Sequence, residues 1–168
     1  MQKQEEQSLT GKEKVAAKAS AHVTTNSTFI FITVTVFTFI ITINNELLKQ
    51  DKFLAIQLSL AMLLFIYATF SRSKLISDYT GFLDGFGAYI FALAFVLFMN
   101  SLGILMAQLI SKQIGILFIS IYMLMILVYG VVGNIARLKN NRKIRITKEI
   151  TSLLLAFFLG LLHILNYY

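Results

Sequence analysis

The charged residues of this chain are grouped so that five long segments carry none. These uncharged segments are 27, 19, 27, 24 and 19 residues long, and they cover residues 19–45, 53–71, 85–111, 113–136 and 150–168. A helix needs roughly 20 apolar residues to cross a hydrocarbon core about 30 Å thick. Each segment is long enough, so the pattern predicts five transmembrane helices.

The first segment has the local composition of a β-strand, because residues 32–36 (ITVTV) are all β-branched. A single segment in lipid must satisfy its own backbone hydrogen bonds, so it has to be helical. Strict alternation of the kind found in membrane barrels is absent from the other four segments. The predicted fold class is therefore an all-α integral membrane protein, a bundle of five transmembrane helices.

This fold divides the chain into two parts. Residues 1–22 are predicted to be a cytoplasmic N-terminal tail with a short basic helix, and residues 23–168 form the transmembrane domain. The expected spans are approximately 23–44, 53–71, 84–110, 114–135 and 149–168.

Composition supports a membrane protein and excludes several kinds of site. The chain is 57% hydrophobic and 14% charged, with a mean hydropathy of +0.75, which is more apolar surface than a soluble domain of this length can bury. It contains no cysteine and no proline, so disulfides, thiolate metal sites and proline kinks are excluded.

The basic residues are distributed unevenly between the two sides that a five-span topology defines. Of the 15 Lys and Arg residues, 12 fall in the N-terminal tail, the second connection and the fourth connection, which share one side. The positive-inside rule then predicts a cytoplasmic N-terminus and an outside C-terminus in a multi-pass protein of the cell (inner) membrane.

The basic residues nearest the membrane are expected to contact anionic lipid headgroups, or a soluble cytoplasmic protein as an alternative partner. Nucleic acid is disfavoured, because no aromatic residue is interleaved in the cluster at 136–149 to stack on bases. The predicted contact residues are Lys14, Lys18, Arg137, Lys139, Arg142, Lys143, Arg145 and Lys148.

Thr10 and Glu13 have the spacing of a helix-capping box, and an alanine-rich run follows them. No helix breaker separates this run from the first span, so the tail helix is expected to be able to continue into the membrane. It either lies on the inner leaflet or acts as a docking arm for a partner.

Polar side chains form a stripe along the first predicted span. At 100° per residue, seven of them share a sector about 100° wide, while Thr33 lies opposite. The members are Thr24, Ser27, Thr28, Thr35, Thr38, Thr42 and Asn45. Such a stripe is expected to face protein or water, either packing against a neighbouring helix or lining a hydrated path inside the bundle or on the axis of a homo-oligomer.

Three further polar residues are candidates for function. Asn100 is expected to bond across the bundle or to contact a solute, because an amide in lipid needs a partner. Asp84 opens the third span, where it either stabilises the helix N-terminus or attracts cations at a mouth. His163 is expected to be a packing residue, with no second histidine or carboxylate at its depth and therefore no metal site.

The sequence contains no recognisable catalytic motif, so no enzyme activity, catalytic residue, metal or other cofactor is predicted. The favoured function is a small oligomeric channel or pore-forming protein, including a membrane-permeabilising effector gated by its cytoplasmic basic segments. Thr28, Thr35, Thr38, Thr42 and Asn100 would line the pore, with Asp84 at its mouth. The alternative is a non-transporting membrane anchor or signalling subunit for a soluble cytoplasmic partner.

Overall fold

A computed structural model describes residues 2–77, 81–136 and 142–167 of the chain. The described residues are almost entirely helical. The helices are α1 Gln2–Gln50, α2 Lys52–Ser77, α3 Gly81–Leu109, α4 Lys112–Ala136, α5 Arg142–Leu155 and α6 Leu162–Tyr167, and a π-helical segment, Ala156–Leu161, joins α5 directly to α6.

Within the described residues, five helical stretches are long and apolar enough to cross a membrane, as the sequence predicts. They are Ala16–Thr42, Lys52–Ile76, Leu83–Leu109, Lys112–Val132 and Thr147–Tyr167. The all-helical class and the number of apolar helices are therefore confirmed.

Helix α1 is a single helix of 49 residues, so the tail helix does continue into the first apolar stretch. The β-branched segment at residues 32–36 is helical throughout. Its threonines adapt to the helix by donating to the carbonyl four residues earlier, as Thr35 does to Phe31 at 2.9 Å. Length and the absence of a breaker decide the conformation here, against the local strand propensity.

Helix α3 is the centre of the bundle. Half of its apolar stretch is buried, whereas between 17% and 33% is buried in the other four apolar stretches. It packs against α2 on one side and against α4 and the π-helical segment on another, while α1 packs mainly on α2. The largest cluster of buried side chains lies where α1, α2 and α3 meet. The ring of Phe29 stacks on that of Phe65 at 5.4 Å and meets that of Phe95 edge to face at 5.3 Å.

The connection between α3 and α4 is short, as the sequence indicates. α3 ends at Leu109 and α4 begins at Lys112. The two helices approach closely because Gly115 faces α3, where a Cβ would lie 2.7 Å from the carbonyl oxygen of Gly103. The two helices therefore form a closely packed antiparallel pair.

The antiparallel helices give the bundle two ends. α2 ends and α3 begins at what we call the Arg72 end, where α4 ends and α5 begins as well. α1 ends and α2 begins at the His163 end, where α3 ends and α4 begins as well. By the distribution of basic residues, the Arg72 end is the side predicted to be cytoplasmic.

Candidate functional site

The threonine stripe of α1 lies on the outside of the bundle. Thr28, Thr35, Thr38 and Thr42 are all exposed, whereas Thr33, on the opposite side of the helix, is 1% exposed and faces α2 and α3. Among the described residues, these four threonines therefore neither pack against another helix nor line an interior path. Of the expected surroundings, only a second copy or another partner is left for them.

The buried face of α1 follows a different pattern, with a period of seven residues. Ala19, Asn26, Thr33 and Ile40 are each at most 3% exposed. A spacing of seven keeps residues on one side of a helix that packs along its neighbours. Apolar, amide and hydroxyl side chains share this face, so polarity alone does not distinguish the buried side of α1 from its exposed side.

Most of the basic residues that the sequence predicts to contact lipid headgroups or a partner have side chains outside the described part of the structure. Arg137 and Lys139 fall outside the described residues. The side chains of Lys14, Arg142, Lys143 and Arg145 also lie outside the description, although their backbones are helical. Lys18 and Lys148 are described, and both lie near the Arg72 end.

Asp84 takes part in an ion-pair cluster in the first turn of α3. Its carboxylate contacts the guanidinium of Arg72 and lies 3.5 Å from Nζ of Lys18. The Arg72 side chain is only 7% exposed, and the neighbouring Ser71 hydroxyl donates to the carbonyl of Leu83 at 2.9 Å. Asp84 therefore joins α1, α2 and α3. The sequence does not indicate this, because it predicts Arg72 in the connection between the second and third spans.

A cavity of about 560 Å³ lies at the same end of the bundle. Polar and charged residues line one part of it: His22, Thr25, Asn26, Arg72, Lys148, Glu149 and Ser152. Aromatic and aliphatic residues line the rest, including Phe91, Phe95, Met99, Tyr122, Met125 and Ile126. Its volume falls within the range of about 300–1,000 Å³ that is typical of small-molecule sites.

Two buried amides bridge neighbouring helices in the middle of the bundle. Nδ2 of Asn100 donates to the carbonyl of Leu155 at 3.2 Å, and Nε2 of Gln57 donates to the carbonyl of Leu159 at 2.9 Å. Both carbonyls belong to the widened π-helical stretch of the fifth span or to the residue just before it. Asn100 thus bonds across the bundle, and Gln57 is a second such residue, which is not among the predicted site residues.

Within the described residues, the amide nitrogens of Asn100 and Gln57 are hydrogen-bonded, but their amide oxygens are not. Oδ1 of Asn100 and Oε1 of Gln57 are buried and have no hydrogen-bond partner among residues 2–77, 81–136 and 142–167. Buried polar atoms in native proteins are nearly always bonded to protein, water or an ion. These two acceptors therefore indicate a polar environment between the helices.

At the His163 end, a carboxylate and a histidine meet. Oδ2 of Asp51 lies 2.8 Å from Nε2 of His163, and Asp51 is 2% exposed. The expectation that no carboxylate shares the depth of His163 is wrong. Oδ1 of Asp51 also accepts from the backbone N–H groups of Phe53 and Leu54, which makes it the N-cap of α2.

A signal for this contact was present in the sequence. Asp51 directly precedes an apolar helix, which is the N-cap position, and a five-span topology predicts the α1–α2 connection and the end of the fifth span on the same side. Pairing the acidic and histidine residues by predicted side and depth marks Asp51 and His163 as candidates for a contact. Proximity of their helices could not be read from the sequence.

The fold and these contacts define a class: a five-helix protein whose helices are long and apolar enough to span a membrane, with buried polar residues between them. Comparison with protein-family models, with curated proteins and with solved structures finds no match to this chain.

Proposed function

We propose that the protein is a small channel for cations in the cell membrane, with a route that passes between α2, α3 and the fifth span. The route follows three polar positions, which we call the polar line: Asn100, Gln57 and the Asp51–His163 pair. Membrane insertion, with the Arg72 end in the cytoplasm, is part of this proposal and follows from the five apolar helices and the basic residues.

The observation that carries the proposal is the pair of unbonded amide oxygens. Oδ1 of Asn100 and Oε1 of Gln57 are buried acceptors with no partner in the described part of the chain. Amide and carbonyl oxygens in a membrane interior are the groups that replace the hydration shell of a cation. In hydrocarbon, each amide oxygen without a hydrogen-bond partner would cost several kcal/mol.

The spacing along the fifth span supports a continuous route. Ser152 lines the cavity, and the carbonyls bonded by Asn100 and Gln57 follow at Leu155 and Leu159. His163 comes four residues later, so successive positions are separated by roughly 4.5 to 6 Å of helix rise. The buried carboxylate of Asp51 stands at the far end and favours a positive charge.

The test is potassium and sodium flux into liposomes that contain the purified protein. Gln57→Met and Asn100→Leu remove one amide each at similar volume, while Thr35→Val with Thr38→Val removes two exposed hydroxyls of α1. We expect each amide variant to reduce flux at least tenfold and the threonine variant to conduct like the wild type. Size-exclusion chromatography and thermal unfolding identify variants that are folded.

Flux that is unchanged in folded Gln57→Met and Asn100→Leu would refute a route along the polar line. The same experiment tests a second candidate, a pore on the axis of a homo-oligomer. The exposure of the threonine stripe favours that candidate, because Thr28, Thr35, Thr38 and Thr42 offer hydroxyls along most of one outer face. Loss of flux in Thr35→Val with Thr38→Val alone would support it.

If no flux is seen in any condition, the non-transporting membrane anchor remains as the candidate function. The long α1, which extends 14 residues before its apolar stretch, favours this reading to a lesser degree. A soluble cytoplasmic partner, or an effector gating signal, would then act through residues 1–22 and the basic segment 136–149. Addition of cytoplasmic extract to the liposomes, followed by co-purification with both segments, tests this.

A further inference from the structure

The cavity at the Arg72 end lies in a gap between two halves of the bundle. Among the described residues, α1 makes close contact with α2 and α3 but with neither α4 nor α5. Residues of α1 nevertheless line the cavity opposite residues of α4 and α5, with α3 between them. The space between α1 and α4 is therefore not closed by direct helix contact, and it can admit a molecule from the side.

The charged and the apolar residues that line the cavity are separated along the bundle axis. Arg72 lies at the level of Gly87, where a Cβ would stand 3.0 Å from its Nε, close to the start of α3. Met99 lines the cavity 12 residues further along α3, which corresponds to roughly 18 Å of helix rise. The cavity is thus charged at the end of the bundle and apolar towards the middle, the polarity of an amphiphile.

The charged part has an excess of donors and positive charge. The guanidinium of Arg72 has five N–H donors, more than the carboxylate of Asp84 takes up, and the residue is 5% exposed. Lys148 also lines the cavity, and no ion pair joins it to a carboxylate within the described ranges. Glu149 is the one acidic lining residue, and its carboxylate packs against the backbone of α4 at Gly130.

We propose that this cavity binds an acyl-chain amphiphile with an anionic head group. The head group is held by Arg72 and Lys148, and the chain lies along Phe95, Met99 and Tyr122. The inference goes beyond the cation route, since it concerns binding from the side and needs no transport. A ligand in this position lies near the Arg72 end of the proposed route, so the two are measured separately.

The experiment measures binding of a fluorescent fatty acid, 12-(9-anthroyloxy)stearate, to the purified full-length protein in a neutral detergent. We expect saturable binding that Lys148→Gln weakens roughly tenfold, as the loss of a charge-assisted contact predicts. Lys74→Gln is the matched control, because Lys74 is exposed at the same end and does not line the cavity. Ala92→Phe, which fills the apolar part, is expected to abolish saturable binding.

Competition identifies the chemistry of the ligand. Unlabelled stearate should displace the probe, and a cationic amphiphile of equal chain length, octadecyltrimethylammonium, should not. Glu149→Gln should bind the probe at least as tightly as the wild type. Displacement by the cation, together with loss of binding in Glu149→Gln, would overturn the proposal in favour of a cation site.

Nanodiscs distinguish two sources of the same ligand chemistry. Displacement of the probe by phosphatidylglycerol, but not by phosphatidylcholine, assigns the site to an anionic phospholipid of the bilayer. Displacement by free stearate alone assigns it to a single-chain acid. Probe binding that is equal in the wild type, Lys148→Gln and Ala92→Phe would show only partition into micelles and would overturn the proposal, whether or not the liposomes conduct ions.

Discussion

The carboxylate of Asp51 and the imidazole of His163 are 2.8 Å apart, although 112 residues separate them in the sequence. Asp51 follows α1 directly and caps α2, while His163 lies in α6 near the end of the chain. The histidine ring is also packed between two aromatic rings, 4.4 Å from Phe53 and 5.3 Å from Tyr167. One contact thus ties the first connection of the bundle to its last helix.

This relationship predicts an energetic coupling between the two residues. Asp51→Asn keeps an oxygen for the N-cap and removes the charge, while His163→Phe keeps a stacking ring and removes the polar contact. We expect a coupling free energy of about 1 kcal/mol in a double-mutant cycle, measured by unfolding in mixed micelles. Strictly additive losses would show that the contact contributes nothing to stability.

Asp51→Ala separates the two roles of the same side chain. It removes the cap of α2 as well as the contact with His163, so we expect it to destabilise the protein by about 1 kcal/mol more than Asp51→Asn. The free energy of unfolding in the same mixed micelles measures the difference. Equal losses in the two variants would mean that the Phe53 and Leu54 N–H groups do not depend on this cap.

Gly160 is predicted to be a position where a methyl group is not tolerated. A Cβ there would lie 2.6 Å from Oδ1 of Asn100, and the bond from Asn100 to Leu155 keeps that amide in place. We expect Gly160→Ala to cost about 1–3 kcal/mol of stability. Gly85→Ala is the matched control, since no atom lies within 4 Å of its Cβ position and alanine favours helix.

The ion-pair cluster at the Arg72 end predicts unequal effects for two single substitutions. Asp84→Asn leaves the buried guanidinium of Arg72 without its carboxylate, and we expect a loss of roughly 2 kcal/mol or more. Lys18→Gln removes the partner that is 64% exposed, so we expect less than about 1 kcal/mol. Thermal unfolding of both variants in detergent checks the order, and a larger loss for Lys18→Gln would contradict this account.

Orientation can be tested directly because the chain has no cysteine. Ser73→Cys introduces a thiol at an exposed position of the Arg72 end, and Asn166→Cys does so at the His163 end. In intact cells, we expect a membrane-impermeant maleimide to label Asn166→Cys and to label Ser73→Cys only after the membrane is opened. The reverse pattern would place the N-terminus outside.

The threonine stripe illustrates a limit of sequence patterns in a membrane helix. Periodicity correctly grouped Thr35 and Thr38 on one side of α1 and Thr33 on the other, yet the buried side is that of Thr33. In a soluble helix, apolar residues mark the buried face. Here all faces are apolar enough for lipid, and a threonine hydroxyl that bonds to its own helix is compatible with either side.

The sequence by itself determined the number of apolar helices, their approximate bounds and the absence of cysteine and proline chemistry. These follow from the lengths of uncharged segments and from backbone hydrogen bonding, which are local properties of the chain. Only the tertiary structure decided that Asp51 meets His163, that Asn100 and Gln57 reach the fifth span, and that a cavity lies between α1 and α4. Those contacts depend on which helices are neighbours and how each is rotated, and lipid-compatible surfaces on every side leave both undetermined until the helices pack.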